Sequence, residues 1–298
     1  MLKLPLNSVP FFESVKADCK QLIELGLWDV KMARLESWLN QFCGTEEEFF
    51  AACLLDQIIF RTKQQFESGL RSLMRSNLNG SIFQNTPDLD LLQKLAGQDD
   101  PKLRLVPVIC ETDPPTKSGP LVMRRLQRIL QLNQEWMCWP WQASRCIREM
   151  GIDTVVFVDD FLGSGTQFEN FFKQWEFNEH DSGIKYFYAP VVAHQHGIDL
   201  LARQLPNVHV VSAETLGESH NFFSKKVWMR LGQGGISADD AKSWYLNFCS
   251  SRDIKPHKVS LLGYNDMALT FGFSHATPNN SLPILWNETA TWQPLLER

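Results

Sequence analysis

The chain has no cysteine pair at the two-residue spacing of zinc knuckles or redox disulfides. Its seven cysteines, Cys19, Cys43, Cys53, Cys110, Cys138, Cys146 and Cys249, are odd in number and scattered. A disulfide framework or thiolate zinc site is therefore not expected, and reduced thiols are. Positive charge is also short: 29 Lys and Arg face 34 Asp and Glu, for a net charge of −5. Broad, sequence-independent nucleic-acid binding needs a basic face. Basic residues cluster only locally, at Arg124-Arg125-Leu126-Gln127-Arg128 and at Ser224-Lys225-Lys226-Val227-Trp228-Met229-Arg230. No run approaches the roughly 20 apolar residues of a membrane span. The opening Met1-Leu2-Lys3-Leu4-Pro5 lacks the apolar core of a signal peptide. Repeats and low-complexity tracts are absent, and the expectation is a cytoplasmic globular protein.

What is present suffices for a full core: 298 residues, 44% of them hydrophobic. Residues 11–77 read as helical throughout, with apolar positions such as Leu22, Leu35, Trp38, Phe49, Leu54 and Ile58 at helical spacing. A break at Asn77-Leu78-Asn79-Gly80 precedes a short helix from Asn85-Thr86-Pro87-Asp88 to about Leu95, and Gly97-Gln98-Asp99-Asp100-Pro101 reads as a turn. These signals predict an N-terminal helical region, 1–97, and an α/β domain, 98–298. The second part alternates. Leu103–Cys110 reads as a strand with Pro107 in it, followed by helices over Leu121–Leu132 and Gln142–Met150. Strands at 155–158, Ile184–Val192 and Val208–Val211 enclose helices from Thr166 and over Gly197–Gln204. Such alternation predicts a parallel sheet flanked by helices on both faces, with ligands beyond the carboxyl ends of its strands. Ser212–Gly235 reads as irregular, followed by a helix at Ser237–Ser250, a strand at Val259–Gly263 and an apolar run at Met267–Phe273.

One stretch carries chemistry: Val155-Val156-Phe157-Val158-Asp159-Asp160-Phe161-Leu162-Gly163-Ser164-Gly165-Thr166-Gln167. A buried strand stops at two adjacent carboxylates, a glycine loop follows, and Phe168, Phe171, Phe172 and Trp175 then recur at helical spacing. Loop amides backed by a helix N-terminus make a seat for phosphate. The carboxylates can accept hydrogen bonds from sugar hydroxyls. A sugar phosphate suits this arrangement better than a bare phosphate or a bare base.

The segment resembles the phosphoribosyl-diphosphate motif of type I phosphoribosyltransferases. The resemblance implies that Asp159 and Asp160 face the ribose hydroxyls, with Mg²⁺ reaching them indirectly, chelated by the ligand's diphosphate. It implies that Gly163, Ser164, Gly165, Thr166 and Gln167 wrap the 5′-phosphate. Gln167 stands where Thr or Ser is usual, and Gly163 stands where purine-salvage members carry an aspartate. Glu111-Thr112-Asp113-Pro114-Pro115-Thr116-Lys117-Ser118-Gly119-Pro120 occupies the place of the family's pyrophosphate loop. Lys117, Ser118 and Gly119 would serve the leaving diphosphate, and Arg124 with Arg125 would add charge. Two further segments, Leu55–Ser68 and Thr277–Trp286, resemble a bacterial phosphoribosyltransferase-like family of conflict and antiphage systems, including effectors encoded beside retron reverse transcriptases. On that resemblance a reverse transcriptase and its RNA or DNA are candidate partners, and the protein is a toxic effector.

Three functions stay open: a phosphoribosyltransferase-type enzyme, a non-catalytic nucleotide sensor keeping the same pocket, and an S-adenosylmethionine-dependent DNA amino-methyltransferase. The last reads Phe161–Thr166 as a cofactor loop and Asp113-Pro114-Pro115 as a catalytic motif, but Thr116 stands where an aromatic should stack on a flipped base. His194 and His196 offer two metal ligands without an apparent third. Tyr264, Asn265 and Asp266 could line a pocket or form a turn. Trp136, Trp139 and Trp141 could stack on a base or pack inside.

Overall fold

The computed structural model describes residues 2–83, 90–114, 116–179 and 183–298. The expected helix start at Asn85–Asp88 and residue Pro115 lie outside them. The chain divides into two compact units, one of Met1–Lys63 with Gly217–Arg298 and the other of Gln64–Leu216. The boundary expected at residue 97 falls within the second unit.

The first unit opens with helices α1 (Ser8–Glu24), α2 (Met32–Leu39) and α3 (Thr45–Asp56). Glu46, Glu47 and Glu48 sit in the first turn of α3, where carboxylates favour the helix dipole. The remainder of α3, Phe49–Leu55, is buried all round, so this helix is a core element and not an amphipathic cover. Helix does not continue to residue 77 as expected: strand β1 (Ile59–Arg61) interrupts it. Its partner lies more than 200 residues onward, beyond the reach of local periodicity.

The second unit begins with α4 (Lys63–Ser72), whose end widens into a π-turn over Leu73–Leu78 before α5 (Asn79–Ile82) and α6 (Leu91–Ala96). Asp90 caps α6 by accepting from the amides of Leu92 and Gln93. The sheet follows: β2 (Leu103–Pro107), α7 (Ser118–Leu130), α8 (Pro140–Met150), β3 (Thr154–Leu162), α9 (Thr166–Gln174), β4 (Lys185–His194), α10 (Gln195–Gln204), β5 (Val208–Val210) and β6 (Glu214–Leu216). All pairings are parallel, in the order β2-β3-β4-β5, with β6 also on β4. Pro107 is tolerated because β2 is an edge strand and Pro107 is its last residue.

Strands in this sheet are buried on both faces, which is why β3 reads as an unbroken apolar run. Alternate residues Val106, Val155, Phe157, Tyr186 and Tyr188 join Ala143, Ile147, Phe168, Phe171, Phe172 and Leu201 of α8, α9 and α10 in one core. Helix α7 packs on β2 and β3 from the other side, and α4 approaches β4 so closely that a Cβ on Gly69 would stand 2.8 Å from Val191. Buried Arg104 forks onto Asp100 at 2.9 and 3.1 Å and lies over the ring of Trp136 at 5.1 Å. The Trp136 indole donates to Gly97 O, so this tryptophan is packing and not a base platform.

The chain then returns to the first unit. Within Ser212–Gly235, expected to be irregular, β6 closes the second unit and α11 (Lys225–Leu231) forms, capped by Ser224 Oγ accepting from Val227 N. Helix α12 (Ala238–Ser251) starts at a Ser237–Asp240 capping box. Val259–Gly263 is not a strand: the Ser260 hydroxyl donates to Gly263 O and accepts from Leu262 N, curling these residues into a turn. Tyr264, Asn265 and Asp266 form the 3₁₀ turn beyond it, with Asn280 Nδ2 donating to Tyr264 O. Only the end of the Met267–Phe273 run is extended, as β7 (Phe271–Phe273), which pairs in parallel with β1.

Candidate active site

The strand does not stop at the acidic pair as expected: β3, the sheet's second strand, runs two residues further, with Phe161 and Leu162 still paired to β4. Side chains alternate across a strand, but the two carboxylates converge on Ser118, whose hydroxyl reaches Asp159 Oδ1 at 3.5 Å as well as Asp160. Asp159 lies toward α9, where the Tyr188 hydroxyl donates to its Oδ2 at 3.1 Å. Asp160 lies toward α7, where the Ser118 hydroxyl donates to its Oδ1 at 3.0 Å. Asp159 Oδ1 also accepts from Asp160 N at 2.9 Å. Both residues are buried, at 4% and 8% exposure. Burial, and next the charge of Asp160, pushes the Asp159 carboxyl well above the usual carboxylate range. Ionisation of the pair is thus opposed, and hydroxyl donors or a cation beside it would favour it.

The loop beyond is tightly built. Gly165 has φ of 89°, the left-handed region, and serves as N-cap of α9. Ser164 Oγ is 3.2 Å from Thr166 Oγ1 and accepts from Thr166 N at 3.4 Å. The first amides of α9, at Thr166, Gln167 and Phe168, have no partner within the helix and present positive dipole ends to this loop. Helix α10 leans on the loop through Gly197, where a Cβ would come within 2.3 Å of Gly163 O.

The loop after β2 meets this one. Lys117 Nζ donates to Gln167 Oε1 at 3.4 Å and pairs with Asp113 Oδ1 at 3.5 Å. Gly119 packs against β2 so closely that a Cβ would be 2.4 Å from Val108 O. Of the residues singled out in the sequence, two hydrogen-bonded groups therefore form beyond β2 and along the end of β3, Ser118 with Asp159 and Asp160 and Lys117 with Gln167, with Gly163–Thr166 and Gly119 shaping the surroundings. Arg124 does not join them. It lies two turns into α7, exposed, on a separate cavity beside β2. Arg125 lies over the Phe66 ring at 5.5 Å.

Two participants escape sequence reasoning. Tyr188 could have been flagged as a polar-tipped residue in a buried strand, since a buried Tyr hydroxyl seeks a partner. Gly197 carries no local signal, because its small size matters only through contact with Gly163. Asp113 Oδ2 accepts from Cys110 N at 2.9 Å and its other oxygen faces Lys117, so it holds its own loop together. His194 caps α10, its Nδ1 accepting from His196 N at 3.1 Å. Among the described residues no group of three or more His, Cys, Asp or Glu side chains is placed to hold a metal ion. No helix of the described residues is long and apolar enough to cross a membrane.

A parallel sheet with this acidic pair and glycine loop defines a phosphoribosyltransferase-like protein. The family model PRTase-CE matches residues 35–298, nearly the whole chain, and the chain belongs to that family. Among solved structures, orotate phosphoribosyltransferase from Aeropyrum pernix is similar at 17% identity over 57% of this chain and 77% of that one, with a TM-score of 0.29. That likeness is too distant to carry an argument. No curated protein matches.

Proposed function

We propose that the protein binds 5-phosphoribosyl diphosphate, or a nucleotide with the same sugar phosphate, and acts at its anomeric carbon as a phosphoribosyltransferase-type enzyme. The observation that carries this is that the loop after β2 bonds twice to the β3 segment, through Ser118 to the acidic pair and through Lys117 to Gln167. Asp159 and Asp160 accept from the two ribose hydroxyls. The amides of Gly163–Gln167 hold the 5′-phosphate, as a helix N-terminus suits an anion. Lys117, Ser118 and the amide of Gly119, at the start of α7, face the diphosphate and stabilise charge as it departs. Positioning and electrostatics are the protein's contribution.

Mg²⁺ fits the donor set, since paired carboxylate oxygens are the hard ligands this ion prefers. It would be held through the ligand's hydroxyls and diphosphate, and when bound it neutralises the diphosphate. We further infer a cytoplasmic effector role in a retron-type antiphage system, with a reverse transcriptase and its RNA or DNA as partners. The support is the resemblance of Leu55–Ser68 and Thr277–Trp286, which lie, but for the first segment's last residues, in the unit joined by the β1–β7 pairing. A non-catalytic sensor would retain the same pocket.

Calorimetric titration with phosphoribosyl diphosphate and Mg²⁺, beside S-adenosylmethionine, tests the ligand. Saturable binding of the first alone is expected; binding only of S-adenosylmethionine overturns the reading. Release of diphosphate on adding purine or pyrimidine bases then separates enzyme from sensor.

A further inference from the structure

A cavity of about 410 Å³ lies on the flank of β2, between α7 and the start of α8, and the acidic pair does not line it. Its volume falls within the range of small-molecule sites. Pro107 and Met123 supply apolar wall, and Trp139 supplies a flat aromatic one. Trp139 is 41% exposed although it is bulky and apolar, and its ring is held in a parallel stack on Trp141, with centroids 5.0 Å apart and planes 5° apart. That spacing admits nothing between the two rings. A further planar ring can only add to the stack on its free face.

Two carboxamides of the cavity are fixed in complementary senses, and exposed Gln134 lines it with a third. The Gln142 carboxamide accepts from Trp139 N at 3.0 Å, so its oxygen is committed and its NH₂ remains the donor. The Gln127 carboxamide donates to Leu132 O at 3.2 Å, so its carbonyl remains the acceptor. A backbone N–H cannot accept and a carbonyl cannot donate, so neither amide can be flipped. Arg124, exposed on α7, adds a cation at the same cavity. An aromatic face, a fixed donor, a fixed acceptor and a guanidinium match a nucleobase that carries a phosphate.

We propose that this cavity is a binding site for a free nucleoside monophosphate, its base stacked on Trp139, its edge read by Gln127 and Gln142 and its phosphate met by Arg124. A mononucleotide is favoured over a nucleic-acid strand because the chain's net charge of −5 offers no extended basic track. The site stands apart from the proposed sugar-phosphate site, and it gives Arg124 a role away from the diphosphate.

The test is calorimetry of the full chain with AMP, GMP, CMP and UMP in turn. At least one should bind saturably. Trp139→Ala should weaken it about tenfold or more, as loss of a stacking partner does, while Trp139→Phe keeps affinity within about threefold. The Trp139-dependent part of the binding should persist in Asp159→Asn with Asp160→Asn, in which the sugar-phosphate site is disabled, and this separates the failure of one site from that of the other. Should Trp139→Ala fail to fold, 5-fluorotryptophan labelling of the otherwise unaltered chain serves instead. The Trp139 resonance, assigned through Trp139→Phe, should shift on addition of the nucleotide. Absence of binding by all four nucleotides, unchanged affinity in Trp139→Ala, an unmoved Trp139 resonance, loss of binding in the double asparagine variant, or binding confined to oligonucleotides each overturns the proposal.

Discussion

Replacing both carboxylates, Asp159→Asn with Asp160→Asn, should damage binding and strengthen the fold at once. A charged hydrogen bond to a sugar hydroxyl contributes about 1.5–3 kcal/mol. Loss of two should weaken phosphoribosyl diphosphate by roughly 10²–10⁴-fold. The fold should gain because burial and next the charge of Asp160 raise the Asp159 carboxyl, so that ionising it in the folded protein costs stability which a neutral carboxamide does not lose. Asparagine keeps the local hydrogen bonds: its carbonyl can accept from Asp160 N while its NH₂ meets the Tyr188 hydroxyl. Asp159 in the folded protein titrates above its unfolded value, so its contribution is fully present below pH ~4 and is lost as pH rises. The variant should therefore match the wild type near pH 4 and exceed it increasingly toward neutral pH. Relief of only about 1 kcal/mol corresponds to a rise of about 2–4 °C in Tm for a domain of this size. Thermal melts at pH 4 and pH 7.5, paired with calorimetry, read both effects. A neutral-pH Tm below wild type, or undiminished affinity, would refute the reasoning.

Other substitutions probe the supports of the site. Tyr188→Phe removes the donor that favours ionised Asp159, so ligand binding should set in at higher pH than in the wild type, followed by titration between pH 5 and 8. Gly197→Ala forces a methyl group onto Gly163 O and should cost about 1–3 kcal/mol with weaker phosphate binding, measured by chemical denaturation and calorimetry. Asp100→Asn leaves the Arg104 guanidinium buried without its counter-charge and should destabilise by roughly 2–4 kcal/mol. In the wild type the Arg104 hydrogen bonds hold Asp100 below the usual carboxylate range. That contribution is present above pH ~4 and disappears as pH falls through the folded value. The Asp100→Asn deficit should accordingly shrink in acid denaturation curves.

How far the sequence could be read follows from where each element's partners lie. The β3 strand and its glycine loop were legible because burial on both faces leaves an apolar run, and a left-handed cap selects glycine at Gly165. The parallel pairing of the sheet followed from alternation with helices, whereas the order β2-β3-β4-β5 came with the structure. Strand β1 was hidden because Ile59-Phe60-Arg61 is too short to show a period and pairs with Phe271–Phe273. Val259–Gly263 has strand composition, but the Ser260 hydroxyl offers its backbone local hydrogen bonds instead. Tyr188 and Gly197 act through contacts between separate elements, which no spacing rule encodes. The same holds for the paired amides of Gln127 and Gln142, whose orientation is set by bonds to Leu132 O and Trp139 N.

A crystal structure of the protein soaked with phosphoribosyl diphosphate and Mg²⁺ tests the central claim most directly. The ribose hydroxyls should lie within hydrogen-bond distance of the Asp159 and Asp160 carboxylates, with the 5′-phosphate on the amides of residues 163–167. A ligand seated elsewhere, or one whose sugar faces away from the two carboxylates, would contradict it.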